Sequence, residues 1–252
     1  MRRTGELPRL GAAAVAAVLS GAALSGCSFS VGTGGAPAVS RTDLEKAITE
    51  RFEESGYKPQ TVTCKADLPG EVGKSTRCEV MLSSTNSFEP VVTVTKVDGK
   101  TVSYDMTAAV NKDQLQKAVS GLISQASGVT VDAVRCDDGL EGKPGAETHC
   151  DVTANGVTLK RTVDVTKVDG LLMSFLVIPV LPKAQVENSL LDQLGAQLGQ
   201  RPDSAACTGD LEGKTGTTVD CTVVAGEETQ DFTLTVTTVN GDRINYSYAP
   251  KS

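Results

Sequence analysis

Six cysteines recur at a fixed interval along the chain. The pairs Cys64 and Cys78, Cys136 and Cys150, and Cys207 and Cys221 all have the same internal separation, and one pair follows the next at an almost constant period. Two further markers keep the same phase. Val97-Asp98-Gly99, Val168-Asp169-Gly170 and Val239-Asn240-Gly241 recur at one unvarying interval, and Gly56, Gly128 and Gly199 each stand eight residues before a first cysteine. Three markers in phase identify an internal triplication, in which each copy must build much the same structure. The repeat selects one disulfide within each copy out of the many pairings six cysteines allow.

Every copy opens with apolar residues four apart: Leu44, Ile48, Phe52; Leu115, Val119, Ile123; Val186, Leu190, Leu194. This spacing predicts a helix with one buried face. Thr42 or Asp43, and Asn111, are the expected N-caps, Pro182 suits a first helical turn, and the recurring glycine suits a C-cap. A Gly-containing loop follows the first cysteine (Gly70, Gly142, Gly213). The second cysteine then opens an alternating strand: Cys78, Val80, Leu82; Cys150, Val152, Ala154; Cys221, Val223, Ala225.

Two more strands flank the Asp-Gly or Asn-Gly turn. A two-residue turn would put Val94 on one face with Ser103, whereas a three-residue loop pairs Val94 with Val102 and Val92 with Tyr104. The other copies pair alike, Val165 with Met173, Val163 with Phe175, Val236 with Ile244 and Leu234 with Tyr246. The expectation is a bulged hairpin with Gly99, Gly170 and Gly241 at positive φ. The fold class is therefore α+β: three tandem repeats, each one helix packed on a roughly four-stranded antiparallel sheet with one internal disulfide. A core of about 70 residues is marginal alone, and closing a loop of roughly 15 residues adds about 3 kcal/mol.

These features resemble the small exported module catalogued as domain of unknown function 4333, common in actinobacterial lipoproteins. The residues that carry the resemblance are Cys64 with Leu68, Cys136 with Leu140, Cys207 with Leu211, the glycines before each second cysteine (Gly73, Gly145, Gly216) and the Val-Asp-Gly hairpin. The resemblance covers essentially all of 41–252 and implies an envelope-exposed, non-catalytic module.

The amino terminus reads as an export signal. Met1-Arg2-Arg3 and a polar stretch precede an Ala-rich apolar run from Leu10 to Leu24, shorter than the roughly 20 residues that cross a bilayer as a helix. It ends in Leu24-Ser25-Gly26-Cys27, which resembles the lipobox of bacterial lipoproteins; the resemblance implies cleavage before Cys27 and a lipid on that residue. Arg2-Arg3 is a weak sign of twin-arginine export, because Thr4-Gly5-Glu6 follows where apolar residues belong. The expected organisation is a signal at 1–26, a flexible tether at 27–40 and modules at 41–110, 111–180 and 181–252. Loss of 1–26 leaves 21 Lys+Arg against 30 Asp+Glu, a charge of −9. Anionic headgroups repel such a surface, so the lipid on Cys27 is the expected hold on the outer face of the cell membrane.

Charge and composition exclude several functions. An acidic chain with 4% aromatic residues has neither the phosphate-neutralising charge nor the stacking platforms of a nucleic-acid binder. Gly213-Lys214-Thr215 lacks the earlier glycine of a phosphate-binding loop, Thr208 standing there, so no nucleotide is expected. Asp137-Asp138 and Asp67 lack calcium-loop spacing and read as solvated turn residues. A single histidine, His149, supplies no multi-histidine metal site, and the cysteine spacing is not that of a zinc site. His149 is expected at an exposed strand position. No nucleophile has a base at recognisable spacing, so neither enzyme activity nor a cofactor is expected.

One copy departs from the others. On the outward face of its last strand copy two has Leu172, Ser174 and Leu176, extended by Ile178, where copy one has Thr101, Ser103, Asp105 and copy three has Arg243, Asn245, Ser247. A strand apolar on both faces is covered on both. Leu172, Leu176 and Ile178 are thus a candidate interface, either packed against a neighbouring copy or docking another envelope protein or a lipid. The functional expectation is a lipid-anchored, non-catalytic binding or scaffold element. The alternatives are an envelope hydrolase or transferase, and a cystatin-like protease inhibitor.

Overall fold

The computed structural model describes residues 27–30, 37–84 and 86–251. The signal expected at 1–26 and the central part of the expected tether lie outside the described residues. Strand β1 (Cys27–Ser30) precedes the first module, which comprises β2 (Ala38–Val39), α1 (Arg41–Glu54), β3 (Thr61–Cys64), β4 (Leu68–Pro69), β5 (Ser75–Ser83), β6 (Asn86–Phe88), β7 (Val91–Asp98) and β8 (Thr101–Thr107). The second comprises β9 (Ala109–Val110), α2 (Lys112–Ser127), β10 (Val131–Cys136), β11 (Leu140–Glu141), β12 (Glu147–Ala154), β13 (Val157–Asp169) and β14 (Leu172–Leu181). The third comprises α3 (Lys183–Leu198), β15 (Ser204–Cys207), β16 (Leu211–Glu212), β17 (Thr218–Ala225), β18 (Glu228–Asn240) and β19 (Arg243–Pro250).

Each module lays its helix on an antiparallel sheet, ordered β15-β17-β18-β19 in the third and in the same way in the others. The buried helix faces are those the four-residue spacing predicts: Leu44, Ile48 and Phe52; Leu115 and Val119, with Ile123 half-buried; Val186, Leu190 and Leu194. Each disulfide joins residues directly opposite one another in adjacent strands (Cys64 with Cys78, Cys136 with Cys150, Cys207 with Cys221), buried beneath the helix. The strand carrying the second cysteine begins three residues before it, at Ser75, Glu147 and Thr218.

The helix ends are built from the repeat. Gly128 and Gly199 are left-handed C-caps, and Gly56 follows the C-cap Ser55 of α1 with φ +82°. Asn111 caps α2 as expected, in a reciprocal pair with Gln114. The α1 cap is Ser40 instead of Thr42 or Asp43, its Oγ accepting from the Asp43 N–H at 3.2 Å. Pro182 stands at the N-cap of α3, outside the first turn, and has no side chain to offer. Asp210 replaces it from the loop before β16, accepting the Lys183 N–H at 2.8 Å, as Asp67 accepts that of Arg41 at 2.9 Å. Asp67 is therefore a capping residue as well as a turn residue.

The hairpin turn differs from the expected three-residue loop. Asp98 pairs with Thr101, Asp169 with Leu172 and Asn240 with Arg243, leaving two-residue turns whose first residue is Gly99, Gly170 or Gly241 at φ +58°, +62° and +59°. The bulge lies deeper in the strand, at Thr95, Thr166 and Thr237. It changes which face the strand presents, so Val94 meets Tyr104, Val165 meets Phe175, Val236 meets Tyr246 and Leu234 meets Tyr248. The pairing is displaced by two residues from the expected one, and because strand side chains alternate with period 2 the same residues remain on the face toward the core, with Phe175, Ile244 and Tyr246 only partly buried.

The expected module boundaries move. The segment before each helix pairs with the short strand between the cysteines: β2 with β4, β9 with β11, and the end of β14 (Val180, Leu181) with β16. The N–H groups of Gly70, Gly142 and Gly213 donate to the carbonyls of Pro37, Ala108 and Pro179 at 2.7, 2.6 and 2.7 Å. Each module therefore begins near residue 37, 108 or 179, and residues 108–110 and 179–181 belong to the module that follows them. Both ends of the expected 27–40 tether are structural: Val39 is fully buried in the core and pairs with β4, and Cys27–Ser30 pairs with β8.

Candidate functional site

The second joint, between modules two and three, gathers three of the seven buried polar residues among those described, Arg161, Thr162 and Asp164. At the second joint, the loop around β16 lies on the outer face of the module-two sheet. Thr162, fully buried, donates to Glu212 Oε1 at 2.6 Å; Lys214 Nζ lies 3.4 Å from Asp164 Oδ2, and Lys160 Nζ lies 3.5 Å from Asp210 Oδ2. Arg161, 5% exposed, reaches the tip of the third hairpin and donates to Asp242 Oδ1 at 2.7 Å. Burial pulls the Arg161 guanidinium below its ordinary pKa, and Asp242 opposes that shift.

A polar cleft of about 630 Å³ opens at this joint, its walls including Asp137, His149, Asp151, Arg161, Thr162 and Glu212. His149 is exposed, as expected, with Nδ1 3.4 Å from Thr162 Oγ1. The Thr162 hydroxyl donates to Glu212, so the His149-Thr162-Glu212 row braces the joint. Among the described residues no group of three or more His, Cys, Asp or Glu is arranged to hold a metal ion, and no helix is long and apolar enough to cross a membrane.

The first joint is apolar. A single core runs through modules one and two, whereas module three has its own. The second residue of the hairpin turn explains the contrast. It is Leu171 in module two, 3% exposed within the shared core, and Asp242 in module three, paired to Arg161; in module one it is the exposed Lys100. A second cleft, of about 530 Å³, lies at this joint between α2, the start of β14 and the β6 segment of module one.

Leu172, Leu176 and Ile178 do not form one exposed surface. Leu172 packs against the core shared by modules one and two, Ile178 is 6% exposed beside Thr162 at the second joint, and Leu176 is 57% exposed. Both joints draw on this strand, which accounts for its two apolar faces. Cys27 begins β1, opposite Tyr104 of β8.

Sequence reasoning missed one recurring contact. Glu45, Gln116 and Glu187 each accept, through Oε1, the backbone N–H of the first cysteine of their module, at 3.0, 3.1 and 2.9 Å. The three recur at the same interval as the Val-Asp-Gly turns, a signal present in the sequence itself.

No curated protein and no solved structure matches this chain. A family model does, three times in succession, over residues 22–99, 102–170 and 171–241. With the repeat, the helix-on-sheet modules and one disulfide in each, the chain belongs to the family described as Domain of unknown function (DUF4333).

Proposed function

We propose that this is a lipid-anchored protein of the outer face of the cell membrane, held by a lipid on Cys27, in which three fused modules act as a non-catalytic binding scaffold. The observation that carries the reading is the joint. Short strands from successive modules overlap, so the modules stand in a fixed row with a cleft at each junction. A row of similar modules lets several weak contacts act together. The lipobox-like Leu24-Ser25-Gly26-Cys27 supports the anchor, and three buried disulfides suit an oxidising compartment. The one histidine and its nearest hydroxyl are engaged in the joint, which favours binding over nucleophilic chemistry.

The test is intact mass of the protein extracted from membranes. The reading expects loss of 1–26, acyl mass on Cys27 and three disulfides, with release of a Cys27→Ala variant from the membrane fraction. An unmodified Cys27, or a variant that stays membrane-bound, refutes the anchor. In-cell crosslinking then tests the scaffold reading, which expects a defined envelope protein at one of the clefts.

A further inference from the structure

The last strand of each module has one side paired with the strand before it, and the three modules treat the other side differently. In module one the chain itself fills that edge: β1 pairs antiparallel with β8, Ser30 opposite Thr101, Phe29 opposite Val102, Ser28 opposite Ser103 and Cys27 opposite Tyr104. In module three the corresponding stretch of β19 starts with the exposed Arg243, the kind of charged residue that guards a sheet edge. In module two, β16 pairs only with Val180 and Leu181, the Gly213 N–H reaches the Pro179 carbonyl, and among the described residues no strand covers Leu172–Ile178 on that side. From Leu171 to Leu181 the chain carries no charge at all. An uncharged open edge of this length, with a leucine 57% exposed upon it, is a template for another strand.

The second cleft supplies what such a strand needs besides main-chain hydrogen bonds. Met173, Phe175 and Val177 alternate along β14 on the helix side of the sheet, facing the same way as Val163 and Val165. Beside them the cleft of about 530 Å³ is lined by Phe88, Val110, Leu122, Met173 and Phe175, together with serine, asparagine and glutamine residues. A strand added to β14 sends every second side chain toward this cleft and the rest along the outer face beside Leu176.

We propose that the edge of β14 from Leu172 to Ile178 docks an extended segment of a partner protein, uncharged and apolar at every second residue, which adds to the sheet antiparallel, as β1 does in module one, and places its apolar side chains in the cleft between modules one and two. The proposal rests on the scaffold reading and names the chemistry of the partner.

The purified full chain is titrated with a panel of nine-residue peptides, end-capped, alternating Val/Thr, Phe/Ser or Leu/Gln, against a control with glutamate at the alternate positions. Hydrogen exchange of the backbone amides and fluorescence anisotropy are the readouts. Binding of at least one apolar panel member is expected, with new protection confined to 172–178 and the cleft lining, and none from the glutamate control. Leu176→Lys and Leu122→Lys, both at half-exposed positions, are expected to weaken binding at least tenfold while leaving the thermal melt unchanged. The proposal is overturned if no panel peptide protects 172–178, or if both variants bind as the wild type does. Sedimentation of the peptide-free chain distinguishes a second copy: a concentration-dependent dimer that vanishes in Leu176→Lys makes this chain its own occupant and equally overturns the proposal. Any of these failures leaves the Cys27 mass and the crosslinking experiment as an independent decision on the scaffold reading.

Discussion

Arg161 and Asp242 stand 81 residues apart in sequence and meet at 2.7 Å, a guanidinium buried in module two against a carboxylate that remains two-thirds exposed on module three. Their asymmetry sets what each substitution does. Asp242→Ala leaves a buried cation without its counter-charge and is expected to cost roughly 1–3 kcal/mol, below the usual figure for a buried pair because the carboxylate side is wet. Arg161→Met removes the cation with its desolvation cost and is expected to be near neutral. Urea titrations of the two variants check this; equal losses in both would contradict it.

The division into two cores predicts two unfolding steps. Modules one and two share one core and should melt together, while module three should melt on its own. Leu171→Asp puts a carboxylate into the shared core and is expected to lower the first unit by about 3 kcal/mol or more, leaving the second in place. Calorimetry of the wild type and the variant reads both steps. A single transition in the wild type would show that the polar joint couples all three modules.

Close backbone approach requires glycine at each joint, at Gly139 and Gly142 in the first and at Gly213 in the second. A Cβ on Gly142 would lie 2.5 Å from both the Cβ and the carbonyl oxygen of Ala108, so Gly142→Ala must push the overlapping strands apart. A cost of about 2 kcal/mol is expected. Gly209→Ala, at a position with open space and no positive φ, is the control and should change stability by less than about 0.5 kcal/mol.

Glu187 tests the contact that recurs in every module. Glu187→Leu strands the Cys207 N–H and should cost module three about 1–2 kcal/mol, whereas Glu187→Gln copies what module two already has at Gln116 and should be tolerated. Midpoints of the module-three transition separate the two.

Tyr246 gives that module a pH limit on the alkaline side. Burial raises the phenol's pKa above its ordinary value, while hydrogen bonds with Ser189 and Gln193 on α3 partly offset the rise. A raised folded pKa means the unfolded chain ionises first, so this contribution is whole below about pH 10 and is lost as the pH climbs through the folded value. Tyr246→Phe is expected to flatten the stability profile above about pH 10. An unchanged alkaline slope would place the loss elsewhere.

Much of each module is legible in the sequence because its determinants are local and repeated three times. The helix faces follow from the spacing of residues such as Leu190 and Leu194, and positive φ at Gly170 follows from the turn chemistry. The hairpin register is not legible: a bulge at Thr95 exchanges faces without leaving a mark in the alternation, and only the structure reveals it. Ala38–Val39 escapes notice because two residues carry no periodicity. Leu172, Leu176 and Ile178 look like one patch when a single copy is considered. Neighbouring modules then claim two of the three, and a pattern of apolar residues does not record which neighbour covers which side.

The overlapping strands also define where this gene could have been lengthened. A cut placed just before a helix, at 111 or 182, would strand Val110 or Leu181 away from the β11 or β16 partner that completes it. A cut near 37, 108 or 179 delivers a helix together with its own lead-in, ready to be ligated to whatever strand ends upstream. Grafts that respect this seam should yield longer rows, and those that cross it should yield insoluble protein.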